Sequence, residues 1–448
     1  MKITLESSSK KFKETFKKSG ELTEQCQGII PGGFSRRTFF YGPHAVFVER
    51  GDGAYIYTAD GKKLLDMNNN YNVNILGHNH PNVTKALMEA IPKSYSFGNP
   101  NMDLENQLAK ILVDRIDSIE KIKFSCSASE SCHSAARLAR GYTGKTKIAK
   151  MEGGYHGFTD TFEISAHPSP DRFPGPAERP IALPDTAGIP QNIIDNLVIL
   201  KQNDLAACEK VLRENAHDLA AVFLELQSGA GGLVVLDKEF VTGIRAITEE
   251  LGILLVIDET VTLRAGYGGL QGIYGVKPDI TVMGKMIGGG IPIGAIGGSA
   301  EVFSVVDNDQ VQISGTHHGH PLSMVGGIAT MNTLTKEVFA ELDKKSSRII
   351  NEVNTWAQSK NYPFMMYGGY GACIAYAFTD EPGREIKTHR DYWSYADEEK
   401  LQIYALEIAT RGFFPVHRGQ FSLSVPMTDD EITAFIETTK DIVDGILK

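Results

Sequence analysis

Four strand-like runs in this 448-residue chain each end on residues with chemistry to offer. "KIKFSC" leads into Ser127, Ala128, Ser129 and Glu130 at the start of a helical pattern. Small residues there admit close backbone approach, hydroxyls donate hydrogen bonds and a helix N-terminus favours an anion, so a phosphate fits; a plain helix cap is the alternative. "KIAKM" leads to Tyr155 and His156 on a glycine-flanked turn, where an aromatic ring can stack on a flat ligand or simply pack. "ILLVI" ends at Asp258 and Glu259. A carboxylate terminating a buried strand must be paired or solvated, and a protonated ring nitrogen is one partner; capping is the other use. "DITVMG" ends at Lys285, followed closely by three glycines. Lysine is rarely buried unless paired, and burial makes it a neutral nucleophile; otherwise Lys285 is a loop lysine reaching water.

Those four runs imply the scaffold that must hold them. Apolar strands interleaved with helix-period segments ("LENQLAKILVDRI", "ESCHSAARLARGYTG", "FVTGIRAITEELG") indicate an α/β fold with a mostly parallel sheet covered on both faces. In such sheets ligands bind at the carboxyl ends of strands, where all four candidates fall. Together they supply the phosphate cradle, stacking ring, carboxylate and amine that pyridoxal 5'-phosphate requires. The chain divides by this reading into residues 1–75, the N-terminal part of a small domain, 76–330, a large cofactor-binding domain, and 331–448, the C-terminal part of the small domain. "AVFVERGDGAYIYTADGKKLLD" predicts an antiparallel patch in the first part, and "GACIAYAF" and "QFSLSVP" predict short strands in the last. The proline-dense stretch 166–189 is too long for an ordinary connection and is either a functional lid or an idle surface loop.

Bulk properties narrow the classes. A net charge of −10 argues against nucleic acid or anionic membrane as partner. The basic stretch "KKFKETFKK" reads as a solvated helix face, lacks the apolar core of a signal peptide, and no run reaches the length of a membrane span. Five cysteines without metal spacing read as reduced thiols, hence a cytoplasmic protein. "GYTGKT" fails as a P-loop because the glycine it needs at position 139 is Ala139 in mid-helix. His317, His318 and His320 have no carboxylate or cysteine near them in sequence, so no metal site is expected.

The strings "FSCSASESCHSAARLARGYTGKTKIAKMEGGYHG", "YGVKPDITVMGKMIGGGIPIGAIGG" and "SGTHHGHPLSM" resemble the class III pyridoxal-phosphate-dependent aminotransferases of fold type I, in the branch of glutamate-1-semialdehyde aminomutase and β-phenylalanine aminotransferase. The likeness runs from "IPGGFSRRTFFYGP" to "RGQFSLSVPMTDDEI". It implies a large domain with a mostly parallel seven-stranded sheet and a smaller α+β domain made from both chain ends. By that resemblance Lys285 is the Schiff-base lysine, Asp258 binds the pyridinium nitrogen and Ser127, Ala128 and Ser129 hold the phosphate. Tyr155 stacks on the ring, and His156, Glu225 and Thr260 also border the cofactor. Thr316 would reach the phosphate in a partner subunit, implying a homodimer with shared active sites. Departures are Ala128-Ser129 for glycine-threonine, Thr260 for valine, Glu225-Leu226 for glutamate-proline and His320 for asparagine; they bear on substrate choice and reaction type.

An amino acid substrate needs a carboxylate clamp, which arginine's planar fork suits. The resemblance offers Arg36, with Arg37 as rival, for the amino donor and Arg418 for the keto acid acceptor. Surface arginines are the alternative. "MNNNYNVN" (67–74) falls where the family lines its substrate pocket. The expected reaction is transamination from an amino acid, a β-amino acid favoured, to a keto acid. An aminomutase or amino acid epimerase on the same scaffold is the second reading, and a non-catalytic relative the third.

Overall fold

The structure is a computed structural model, and it describes residues 2–35, 42–94, 96–97, 101–416 and 419–448. Two compact units form: Pro81–Ala340 with Ile386–Ser394, and Met1–His80 with Glu341–Glu385 and Tyr395–Lys448. Seven strands make the sheet of the larger unit: β1 (Lys121–Ser125), β2 (Lys147–Met151), β3 (Leu197–Leu200), β4 (Leu219–Leu224), β5 (Leu254–Asp258), β6 (Ile280–Gly284) and β7 (Gly294–Gly298). Their spatial order is β1-β7-β6-β5-β4-β2-β3. Neighbours from β3 to β6 are parallel, and β7 runs antiparallel to both β6 and β1. Every residue of β4, β5, β6 and β7 is buried, which is why these runs are apolar throughout rather than alternating.

Helix α1 (Ala128–Thr143) begins where the Ser127 hydroxyl accepts the Glu130 amide at 3.3 Å and ends at Gly144, left-handed at φ 70°. Its buried face is mostly small: Ser131, Cys132, Ala135, Ala136, Ala139. Such a face lets the helix axis approach the sheet, and its N-terminus is thereby carried to the strand ends.

The smaller unit joins both chain ends in one sheet. Strands Val48–Asp52, Tyr55–Thr58 and Lys63–Asp66 pair antiparallel, and Phe413–Phe414 adds alongside Lys63–Asp66 in parallel. A second sheet holds Phe364–Gly368, Cys373–Phe378 and Gln420–Ser422. The basic N-terminal stretch is not solely a solvated face: Phe12 and Phe16 are buried with Leu406 and Ala409, and the Lys11 ammonium lies 2.9 Å from Glu407. Asn69, Asn70, Tyr71 and Asn72 all adopt left-handed φ values between 51° and 72°. Asparagine tolerates that region, and the Asp66 carboxylate accepts the Asn68 and Asn69 amides at 2.9 Å each, so much of this asparagine run holds its own turn. Among the described residues no helix is long and apolar enough to cross a membrane.

Candidate active site

The carboxyl ends of β1, β2, β4, β5 and β6 converge. The closeness is visible at glycines, where a side chain has no room. A Cβ on Gly157, at φ +95°, would run into Ser129, and one on Gly294 would run into the Ser127 carbonyl. The turn carrying Tyr155 and His156 therefore lies against the start of α1, and β7 lies behind it. A Cβ on Gly284 would stand 3.0 Å from Ala128 Cβ and 3.5 Å from Thr260 Cγ2, which puts the residue before Lys285 between those two.

Asp258 closes β5 and is buried. One of its oxygens accepts the Thr260 amide at 3.0 Å; the other meets His156 Nδ1 at 3.0 Å and the Cys132 thiol at 3.4 Å. Burial alone would raise its pKa, but the hydrogen bonds from His156 and Thr260 outweigh burial and hold it below the ordinary value. The site thus keeps a charged carboxylate dry. His156 is fully enclosed, its ring edge-on to Phe162 and Phe223 at 5.4 and 5.5 Å. Burial lowers its pKa despite Asp258, so it is a neutral imidazole whose Nδ1–H donates to the carboxylate.

Glu225, just past β4, accepts the Tyr155 amide at 2.6 Å and the Gly229 amide at 3.0 Å. Burial first, and repulsion from Asp258 second, push its pKa up to about 8 against the pull of those amides and of Lys285. Tyr155 is half-buried, its phenol pushed up to about 12 by burial and nearby acids, and its ring stands 5.8 Å from that of His167. Lys285 is half-buried, interacts electrostatically with Glu225 and has φ 51°. A lysine in the left-handed region is strained by about 1–2 kcal/mol, and such strain concentrates at functional sites.

Ser127, Ala128, Ser129, Tyr155, His156, Glu225, Asp258, Thr260 and Lys285 are therefore gathered at one end of one sheet. Thr316 is exposed in the single chain and lines a cavity of about 750 Å³ with Cys126, Glu130, His133 and Arg137. Arg36, Arg37 and Arg418 lie outside the described residues. The histidine loop has company that sequence spacing hides: His318 Nε2 lies 3.2 Å from Glu130, and Cys126 offers its sulfur to the same group within 4.8 Å. Glu130 is also engaged by the Cys126 amide at 2.9 Å.

Three further buried groups stand near the site, of which Cys132 and Lys150 carry no sequence signal of their own. Cys132 reaches Asp258 only because α1 turns that face inward. Glu259, its pKa pushed to about 7 by burial, ties the Leu270 and Gln271 amides and the Thr262 hydroxyl. Lys150, fully buried, donates to the Ile164 carbonyl at 2.6 Å, and burial lowers its pKa to about 8.

Residues 40–411 match the aminotransferase class-III family. The chain belongs to the class-III aminotransferases. This aminotransferase-family chain is 35% identical over 422 residues to glutamate-1-semialdehyde 2,1-aminomutase 2 of Exiguobacterium sp., covering 93% of this chain and 94% of that one. An ω-transaminase from Sphaerobacter thermophilus superposes with a TM-score of 0.87 at 33% identity, over 96% of this chain and 97% of that one. A β-phenylalanine aminotransferase from Variovorax paradoxus does so at 0.88 and 26% identity, over 98% and 97%. The family's members are pyridoxal 5'-phosphate-dependent enzymes of fold type I. The donor set fits that cofactor: an ionised buried carboxylate suits a protonated pyridine nitrogen, and the hydroxyls and helix N-terminus at 127–129 suit its phosphate.

Proposed function

We propose that this class-III enzyme is an aminotransferase that moves an amino group from an amino acid, a β-amino acid preferred, to a keto acid acceptor. Supporting this most directly is Asp258, a carboxylate kept ionised in a buried site one strand away from the strained Lys285. Bound pyridoxal 5'-phosphate supplies an aldehyde that takes up the amino group and a ring that draws electrons from the neighbouring carbon. In this reading Lys285 holds that aldehyde and, once released, takes the proton from the substrate carbon with its Nζ. Asp258 keeps the ring nitrogen protonated, while His156 and Thr260 keep Asp258 charged. Tyr155 covers one ring face, Ser127 to Ser129 bind the phosphate, and Glu225 fixes the Tyr155 amide.

Arg36 is proposed to clamp the donor carboxylate and Arg418 that of the acceptor. Thr316, exposed on its loop, would serve the partner's site in a homodimer. None of the five cysteines forms a disulfide, which supports a cytoplasmic location. The β-amino acid preference is supported by the fold likeness to the β-phenylalanine enzyme. A second reading, an aminomutase that returns the amino group to the molecule it left, is favoured by the 35% identity to the Exiguobacterium protein. Incubation with single amino compounds, then with each plus 2-oxoglutarate or pyruvate, separates them. Transamination requires the keto acid; isomerised product from one reactant alone would overturn the first reading.

A further inference from the structure

The segment Ile386–Ser394 follows residues of the smaller unit and is followed by them, yet it is built into the larger one. Its side chains reach two places. Arg390 grips Glu152 with both ends of its guanidinium, Nε to Oε2 at 2.7 Å and Nη2 to Oε1 at 2.9 Å. The same guanidinium donates to the carbonyls of Pro174 and Gly175, each at 3.1 Å, and stands 4.9 Å over the Phe173 ring. His389 is buried and donates from Nε2 to the Pro168 carbonyl at 2.7 Å, while its own amide bonds the Gln202 side chain at 2.6 Å. Gly153 and Gly231 lie against its imidazole, and Gly232 lies against Tyr392.

Glu152 and Gly153 open the turn that carries Tyr155 and His156. Pro168, Pro174 and Gly175 belong to the proline-dense stretch, the long loop that the sequence leaves as either a lid or an idle excursion. That loop is held at other points as well. Asp185 accepts the Ala166 and His167 amides at 2.8 and 3.1 Å, and Arg179 pairs with Glu214 at 2.6 Å. His167, at the loop's start, is the ring that faces Tyr155. A bidentate arginine pair only 16% and 5% exposed fixes direction as well as distance, in a way one lysine contact would not.

We propose that Ile386–Ser394 is a strap fastening the 166–189 loop to the turn at Glu152–Tyr155, with Arg390 the positioning residue that sets where Tyr155 and His167 stand for the amino donor. The loop is then a fixed wall of the site, not a lid. The part concerning the amino donor rests on the function proposed above; the fastening does not.

The test compares the holoenzyme with Arg390→Gln and Arg390→Lys. Trypsin has one good site in the loop, Arg172–Phe173, because Arg179 is followed by Pro180. Cleavage there reports local opening, and Arg390→Gln should speed it by about tenfold or more, with Arg390→Lys in between. The same Gln variant should raise KM for the amino donor by about fivefold or more with kcat within about twofold. An unchanged cleavage rate overturns the strap, whatever reaction the enzyme catalyses. Faster cleavage with unchanged KM overturns the positioning role. Absence of turnover with every donor, in wild type and variants alike, counts against the proposed function, and the cleavage ratio still decides the strap. If Arg390→Gln does not fold, Arg390→Lys, which keeps the charge and loses the fork, carries both comparisons.

Discussion

Asp258→Asn removes one charge and almost no volume. In the wild type one oxygen accepts from Thr260 and the other from His156 and Cys132. An asparagine can keep its oxygen toward the Thr260 amide, which leaves its NH2 facing His156. Because burial already holds that imidazole neutral, it can exchange tautomers and accept through Nδ1. The fold without cofactor should therefore lose only about 1–2 kcal/mol, the difference between charge-assisted and neutral hydrogen bonds. The functional loss is larger. Removing one partner of a buried ion pair costs about 3–5 kcal/mol. At about 1.4 kcal/mol per decade that is roughly a hundredfold to several-thousandfold slower first half-reaction, if Asp258 pairs with the protonated ring nitrogen. Stopped-flow absorbance at the cofactor band with excess amino donor reads the rate, and thermal unfolding of the apoprotein reads the fold. A half-reaction within about threefold of wild type, in a protein of unchanged melting temperature, would refute this reasoning.

Further outcomes follow from the same geometry. Glu225 ionises near 4.5 in the unfolded chain and about 8 in the folded one, so between those values the fold holds a proton that the unfolded chain lacks, and stability should be lost as pH rises through that window. Glu225→Gln should flatten this loss in apoprotein melts; an identical pH profile would count against it. Lys150 acts oppositely, lowered from 10.5 to about 8, and contributes stability that returns above pH 8. Gly294→Ala should press on the Ser127 carbonyl, costing about 1–3 kcal/mol and weakening cofactor affinity, to be read by melting and by cofactor titration; a neutral substitution would show that the turn has slack. Cys132, its thiol pushed well up by burial and by Asp258, should stay unalkylated by iodoacetamide in the native protein when mapped by mass spectrometry.

What sequence reveals about this molecule follows what is periodic or punctuated. The buried strands β4 to β6 stand out as unbroken apolar runs, α1 is bracketed by Ser127 and Gly144, and residues at strand ends fall together because parallel strands share one carboxyl edge. The edge strand β3 is also an apolar run, Leu197–Leu200, but at four residues it is too short for periodicity to separate strand from helix. Long-range partners are likewise silent: Arg390 and Glu152 are 238 positions apart, and nothing local announces that the strap returns to the larger unit. Backbone strain is equally hidden, since no composition rule places Lys285 at φ 51°. His318 shows the reverse case, where absence of ligand types nearby in sequence misses Glu130 in the first turn of α1 and Cys126 just before that helix.

Borohydride reduction of the protein loaded with pyridoxal 5'-phosphate, followed by peptide mass mapping, tests most directly which amine holds the cofactor. A single adduct on Lys285, lost together with the visible absorbance in Lys285→Ala, is the result expected here. An adduct on the fully buried Lys150 instead, or no adduct at all, would contradict it.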